Sequence, residues 1–252
     1  MGSKIFLANV GANTSHRFSS PLFNDNTFEF IPIPETSKQT SQYSVLYKDL
    51  KSYNDPSKNL VEFIPRRLWN QPTHNDPEFE TFTYGDNCQT TPRGAALKNI
   101  SEGDYLFFLA HLTRWSRGQF TRDHGFYLIG FLEILQILKE VRSRPKQELL
   151  LPFGSNAHIR QGLSNPLFWN RFWVFRGSQH SQRFLRAVPF TRELISQILT
   201  TADGSPWCWS AERTDLQIIG SYTRSCRCVI DSNYPAGLNK ARLLWNWISH
   251  WG

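Results

Sequence analysis

The sequence predicts a mixed α+β domain. Apolar runs of strand length recur at Lys4 to Val10, Tyr105 to Leu112, Gly125 to Leu135 and Phe172 to Phe175. Apolar residues at helical spacing come late, in Thr191 to Thr200 and Ala236 to Trp251. The stretches between are polar and interrupted by Pro, with no repeat and no low-complexity linker. The 252 residues therefore read as a single domain, 1–252, with an insertion around 36–80.

Taken in order, KIFLANV reads as a buried first strand that ends in a polar, turn-rich loop, Gly11 to Arg17. Phe28 to Pro34 alternates apolar residues, and its two Pro place it at a sheet edge or strand end. Pro56, Pro65, Pro72 and Pro77 break the next segment into an excursion with short helices. A short helix opens after Pro92, and Ile100 to Asp104 is a turn. YLFFLAHL and GFYLIGFLEIL are core strands, joined by an Arg-rich loop from Thr113 to His124. Leu128 to Val141 also fits a helix, but Gly125 and Gly130 favour a strand that becomes irregular near Lys139. Thr191 caps a helix with Leu194, Ile195, Ile198 and Leu199 on one face. Gln217 to Ser221 and Cys226 to Asp231 are short extended pieces. The last helix turns Leu238, Leu244, Trp245 and Ile248 inward.

The formal net charge is +7, and the positive excess is concentrated between His111 and Arg192. A localised basic stretch points to an anionic partner, most commonly nucleic acid, with a solvated basic surface as the alternative. Neither a secretory signal nor an apolar run of about 18 residues is visible, so a soluble, cytoplasmic protein without a membrane partner is expected. Its four Cys are then reduced thiols. Cys226 and Cys228 alternate on one strand, but no further ligands follow at matching spacing, and no metal site is expected.

The densest polar constellation follows the first strand. Asn9 and Asn13 offer a donor and an acceptor each, which suits the edge of a base. His16 can carry a proton, Arg17 can grip a phosphate, and Ser20 and Glu35 complete the block. The same residues also suit a loop that caps its own backbone. Tyr84 and Asp86, with Arg93 beyond, form a second candidate, for which a capped turn is the plainer account. Trp115 among Arg114, Arg117 and Arg122 suits stacking on a base with phosphates held alongside, although Trp is also core filler. His158 and Trp169 lie in an aromatic and basic stretch that runs on to Arg183. Arg224 is a further phosphate candidate.

The opening block KIFLANVGANTSHRFSSPLFNDNTFEFIPIPE, the later YGD, and SEGDYLFFLAHL followed by GFYLIGFLEI resemble the nucleotide modification associated domain 3 family. That bacterial, archaeal and phage family is linked to modified DNA bases, and the resemblance covers nearly the whole chain. The chain also resembles PUA-like folds, the group of the ASCH, EVE and YTH domains. The resemblance implies an α+β fold with a PUA-like β-barrel core, helical insertions and a C-terminal helix. It further implies a nucleic-acid partner, DNA in preference to RNA, and a setting in phage defence. It names no cofactor and no catalytic residue.

Two functions follow as expectations. In the first, a cleft takes a modified or extruded base. Asn9, Asn13, Arg17, Ser20, Tyr84, Trp115, His158 and Trp169 contact the base or nucleotide. Arg93, Arg114, Arg117, Arg122 and Arg224 hold phosphate. In the second, His16, Glu35 and Asp86 do acid/base chemistry on a base or nucleotide. Phosphate-loop, dinucleotide, zinc-protease, hydrolase and deaminase signatures are absent, which favours the binding function.

Overall fold

The structure, a computed structural model, describes residues 2–11, 18–35, 41–199, 210, 212–215 and 226–251. In chain order the strands are β1 (Lys4–Asn9), β2 (Ser20–Leu22), β3 (Ile33–Pro34), β4 (Thr73–His74), β5 (Thr83–Asp86), β6 (Tyr105–Ser116), β7 (Gln119–Val141), β8 (Phe172–Gly177), β9 (Gln182–Pro189) and β10 (Cys226–Asp231). The helices are α1 (Gln147–Phe153), α2 (Ala157–Ser164), α3 (Arg192–Ile198) and α4 (Pro235–Trp251), with short 3-10 turns elsewhere. The mixed α+β class holds. Among the described residues no helix is long and apolar enough to cross a membrane.

β1 is apolar at almost every position because both of its faces are covered. Ile5 and Leu7 join a core with Phe107, Leu109, α3 and α4, while Phe6 and Ala8 join a second core with Leu106, Phe108, Tyr84 and Leu97 on the other side. β1 pairs antiparallel with β10 and parallel with β6, and the sheet runs β10-β1-β6-β7-β8-β5. Further along the same two long strands, β2 pairs with β6 and β9 with β7. On α4, Leu244 and Ile248 are buried and Trp245 packs on Tyr105, Phe107 and Phe131, whereas Leu238 stays exposed.

The expected closed barrel is not formed: among the described residues the path of paired strands ends at β10 and β5. Only single bridges, Leu22 with Phe28 and Thr27 with Arg186, run from the end of β2 toward β9. Phe28 to Pro34 does not make a full ladder there. Pro32 and Pro34 lack N–H donors, and the Ile31 N–H is taken by the Ser20 hydroxyl.

The expected Arg-rich loop is instead a hairpin. β6 continues to Ser116 and β7 starts at Gln119, with Arg117 (φ 52°) and Gly118 (φ 77°) forming the two-residue turn. Both central residues at positive φ match the twist of the flanking strands. The insertion supplies a small core of Tyr47, Leu50, Leu60, Phe63 and Ile64, against which this arm lays Trp115 and Phe120. The expected irregularity near Lys139 is present as a register shift between Leu138 and Val141. Gln217 to Ser221 lies outside the described residues.

Candidate functional site: a buried polar pocket at the end of β1

A cavity of about 280 Å³ opens where β1 ends. Asn9, Val10 and Gly11 form one wall, and Tyr84 to Asn87, at the end of β5, form another. His74, Asp76, Thr91 and His158 complete the polar lining. The segments are brought together by short-range devices. β3 pairs with β4 and sets His74 opposite Ile33. The Asp76 carboxylate accepts from the Gly85 N–H at 2.8 Å, which ties the segment after β4 to β5. Asn156 caps α2 by accepting from the His158 N–H at 3.0 Å, and its amide reaches Asp76 Oδ2 at 3.5 Å.

Three side chains face one another here. Nε2 of His74 and Nε2 of His158 each lie 3.9 Å from Asp76 Oδ2, and the two imidazoles meet edge to face at 4.8 Å. Burial drives the titration of all of them. It lowers His74 to about 4 and His158 well below the usual histidine range. It raises Asp76 well above the carboxylate range and pushes Asp86 up to about 6. The imidazoles are therefore neutral at pH 7. Asp76 Oδ1, Asp86 Oδ1 and Asn87 Oδ1 are buried without a hydrogen-bond partner, an arrangement that native proteins keep to a few places.

Glu35 sits behind this lining. Its backbone N–H donates to the Pro72 carbonyl, and burial pushes its carboxyl up to about 7 against the opposing pull of Arg160 and a hydrogen bond with Gln161. The Gln161 amide in turn lies 3.4 Å from Nδ1 of His74. Gln161 thus approaches the pocket residue His74 and also bears on the Glu35 carboxyl.

Of the residues singled out from the sequence, the pocket gathers Asn9, Tyr84, Asp86 and His158. Arg93 is exposed on the turn that follows Thr91. Arg117 and Arg122 are exposed at the end of the β6–β7 arm. Four others are placed elsewhere. The buried Ser20 hydroxyl accepts from Ile31. Trp115 packs edge to face on Phe63 and Phe120. Trp169 stacks on Phe172. Arg114 donates to the Phe23 carbonyl and pairs with Asp123. Asn13, His16, Arg17 and Arg224 lie outside the described residues. Sequence reasoning missed His74, Asp76, Asn87 and Arg160. The only local signal was His74 and Asp76 two apart, so that both face one side of an extended segment.

No curated protein and no solved structure matches the chain. Residues 4–210 match the family model described as nucleotide modification associated domain 3. The chain belongs to that family, and its role is related to nucleic-acid modification.

Proposed function

We propose that the pocket takes a single nucleobase turned out of a nucleic-acid strand, and that the protein recognises a modified base in DNA. One observation carries this reading: Asp86 and Asn87, which line the pocket with Asn9 and Tyr84, each hold a buried side-chain oxygen, Oδ1, with no hydrogen-bond partner. An unpaired buried acceptor costs about 1–3 kcal/mol, which an exocyclic amine or ring N–H would recover. Size agrees. Pockets for drug-sized ligands start at about 300 Å³, so 280 Å³ suits one ring system better than a whole nucleotide.

Backbone contacts have a natural source in Arg93, beside the lining residue Thr91. The arm adds more distant ones. Asn9 pairs with Leu109, and Arg117 follows eight residues later on the same strand pair, about 25 Å beyond the pocket end of β1. DNA flanking an extruded base has room to lie along that arm.

The test is binding of duplexes that carry a modified base against unmodified duplexes of the same sequence. Wild type is expected to prefer the modified duplex, with affinity falling steeply as salt rises. Asp86→Asn and Asn87→Ala are expected to keep most of the salt-dependent binding and lose the preference. Unchanged preference in both variants overturns the reading.

A second reading, an enzyme that alters the base, is favoured by one feature. Asp86 and Glu35, in and behind the pocket, are held near neutrality at about 6 and about 7, where general acids and bases work best. Nucleoside analysis of DNA after incubation separates the two. A new nucleoside formed by wild type and not by Asp86→Asn decides for the enzyme.

A further inference from the structure

We propose that His74, Asp76 and His158 bind one divalent transition-metal ion of the zinc class, leaving a coordination position open to the pocket. The donor set is two imidazoles and one carboxylate. Zinc and its first-row neighbours take such sets, whereas magnesium and calcium prefer oxygen alone. Three protein ligands with a free fourth position are the hallmark of reactive rather than structural zinc sites.

The geometry argues for an ion between these groups rather than a plain hydrogen-bonded cluster. Each Nε2 stands 3.9 Å from Asp76 Oδ2, beyond hydrogen-bond reach. An ion bonded at about 2.0–2.1 Å in a tetrahedral site holds its donor pairs about 3.4 Å apart, so each 3.9 Å pair needs to close by roughly half an ångström. The donor atoms all lie within 4.8 Å of one another, and three donors sharing one ion at that bond length stand about 3.3–3.6 Å apart, so the triad must contract by roughly 1 Å at its widest for all three to reach it.

A second, independent observation points the same way. The Asp76 side chain is only 2 % exposed, and its Oδ1 has no hydrogen-bond partner. The carboxylate's two hydrogen bonds, from Gly85 and Asn156, both end on Oδ2. Arg160 acts on it only through space. Such a carboxylate, buried beside two imidazoles with one oxygen left unpaired, wants a cation. The surroundings resemble the outer contacts that steady metal ligands. Gln161 approaches Nδ1 of His74, and Asn156 holds Asp76.

The ion would face Asn9, Asp86 and Asn87 across the pocket, where a water or a base nitrogen completes its shell. This goes beyond base recognition and does not depend on it. A metal-free pocket still reads a base, and a zinc site stands even if the ligand is not one.

The experiment strips the full-length protein with a chelator, dialyses it, and titrates Zn²⁺ in competition with a chromophoric chelator, without nucleic acid. Wild type is expected to take up one Zn²⁺ per chain. His74→Ala, His158→Ala and Asp76→Asn are each expected to weaken binding more than about 100-fold, beyond the cost of losing an outer contact. A second histidine pair, His111 and His124, lies 3.0 Å apart on the arm and provides the control. The double variant His111→Ala/His124→Ala is expected to bind Zn²⁺ as wild type does. Should a triad variant fail to fold, Co²⁺ added to wild type still tests the idea, because two imidazole ligands give it a distinct visible spectrum. The proposal is overturned if folded wild type takes up no tightly held Zn²⁺, or if uptake is lost with the arm pair and kept without the triad.

Discussion

Gly85 and His158 occupy space that only one side chain can fill: a Cβ on Gly85 would lie 2.4 Å from Cδ2 of the His158 imidazole. The same atom would stand 2.9 Å from Asn156 Oδ1 and 3.2 Å from Asp76 Oδ2. The missing side chain lets α2 close on β5. Gly85→Ala is expected to lower stability by about 1–3 kcal/mol through overpacking, measured by urea unfolding. It is also expected to weaken ligand binding in the pocket, because the ring and the Asp76 carboxylate move apart. An alanine variant as stable as wild type would show that α2 shifts freely against β5.

Glu35 gives the fold a pH dependence. Its carboxyl is raised from 4.5 to about 7, mainly by burial. Between these values the folded state holds a proton that the unfolded chain releases. Stability from this group is thus full below about pH 4.5 and falls as pH rises through 7. The loss is on the order of 2–3 kcal/mol by pH 8, less whatever local water relieves. Glu35→Gln is expected to flatten this slope and to match or exceed wild type at pH 8 in thermal unfolding. A slope unchanged in Glu35→Gln places the titration elsewhere.

Arg183 is an interior residue. It donates to the Phe28 carbonyl at 2.8 Å, lies 3.7 Å from the buried Glu29 carboxylate, and is sandwiched between the rings of Phe28 and Tyr53. Arg183→Ala leaves Glu29 without its cation and is expected to cost about 3–5 kcal/mol. Arg183→Lys is expected to recover little, because an ammonium cannot stack as a planar guanidinium does. Chemical denaturation of the three proteins checks both statements.

Arg93 and Arg114 are expected to separate into two kinds of basic residue. Arg93 is exposed beside the pocket, so Arg93→Ala should weaken nucleic-acid binding alike for all sequences and reduce the salt slope by about 1. Arg114 is engaged with the Phe23 carbonyl and Asp123, so Arg114→Ala should chiefly lower stability. Affinity measured across a salt series, with unfolding curves for the same variants, distinguishes these outcomes.

The strands best legible in the sequence were those buried on both faces. β1, the first half of β6 and β8 announce themselves as unbroken apolar runs. The outer half of the β6–β7 hairpin did not, because its residues are largely polar and its strand character comes from pairing. α1 and α2 were missed: α1 contains Pro152, and Gly162 in α2 is there because Trp169 fills the space beside it. Charge counting misled in a specific way. Arg160 and Arg183 fall in the basic stretch, yet the Arg160 guanidinium has buried nitrogens and Arg183 is paired with Glu29 inside the protein. In the pocket, Asn9, Tyr84, Asp86 and His158 were named from the sequence. His74 and Asp76 were not, since their partner His158 arrives from a distant segment by folding alone.

The antiparallel pairing of β1 with β10 has a consequence for synthesis. β1 leaves the ribosome well before β10, so one edge of β1 waits while all the residues between them are made. Until then its N–H and C=O groups on that side are open to any extended neighbour. The matched family region stops at residue 210, before β10 and α4, and a chain cut there would keep that edge open permanently. It would also uncover the side of Leu7 and Phe107 on which α4 packs. Nascent chains stalled before residue 226 are therefore the ones most in need of a chaperone.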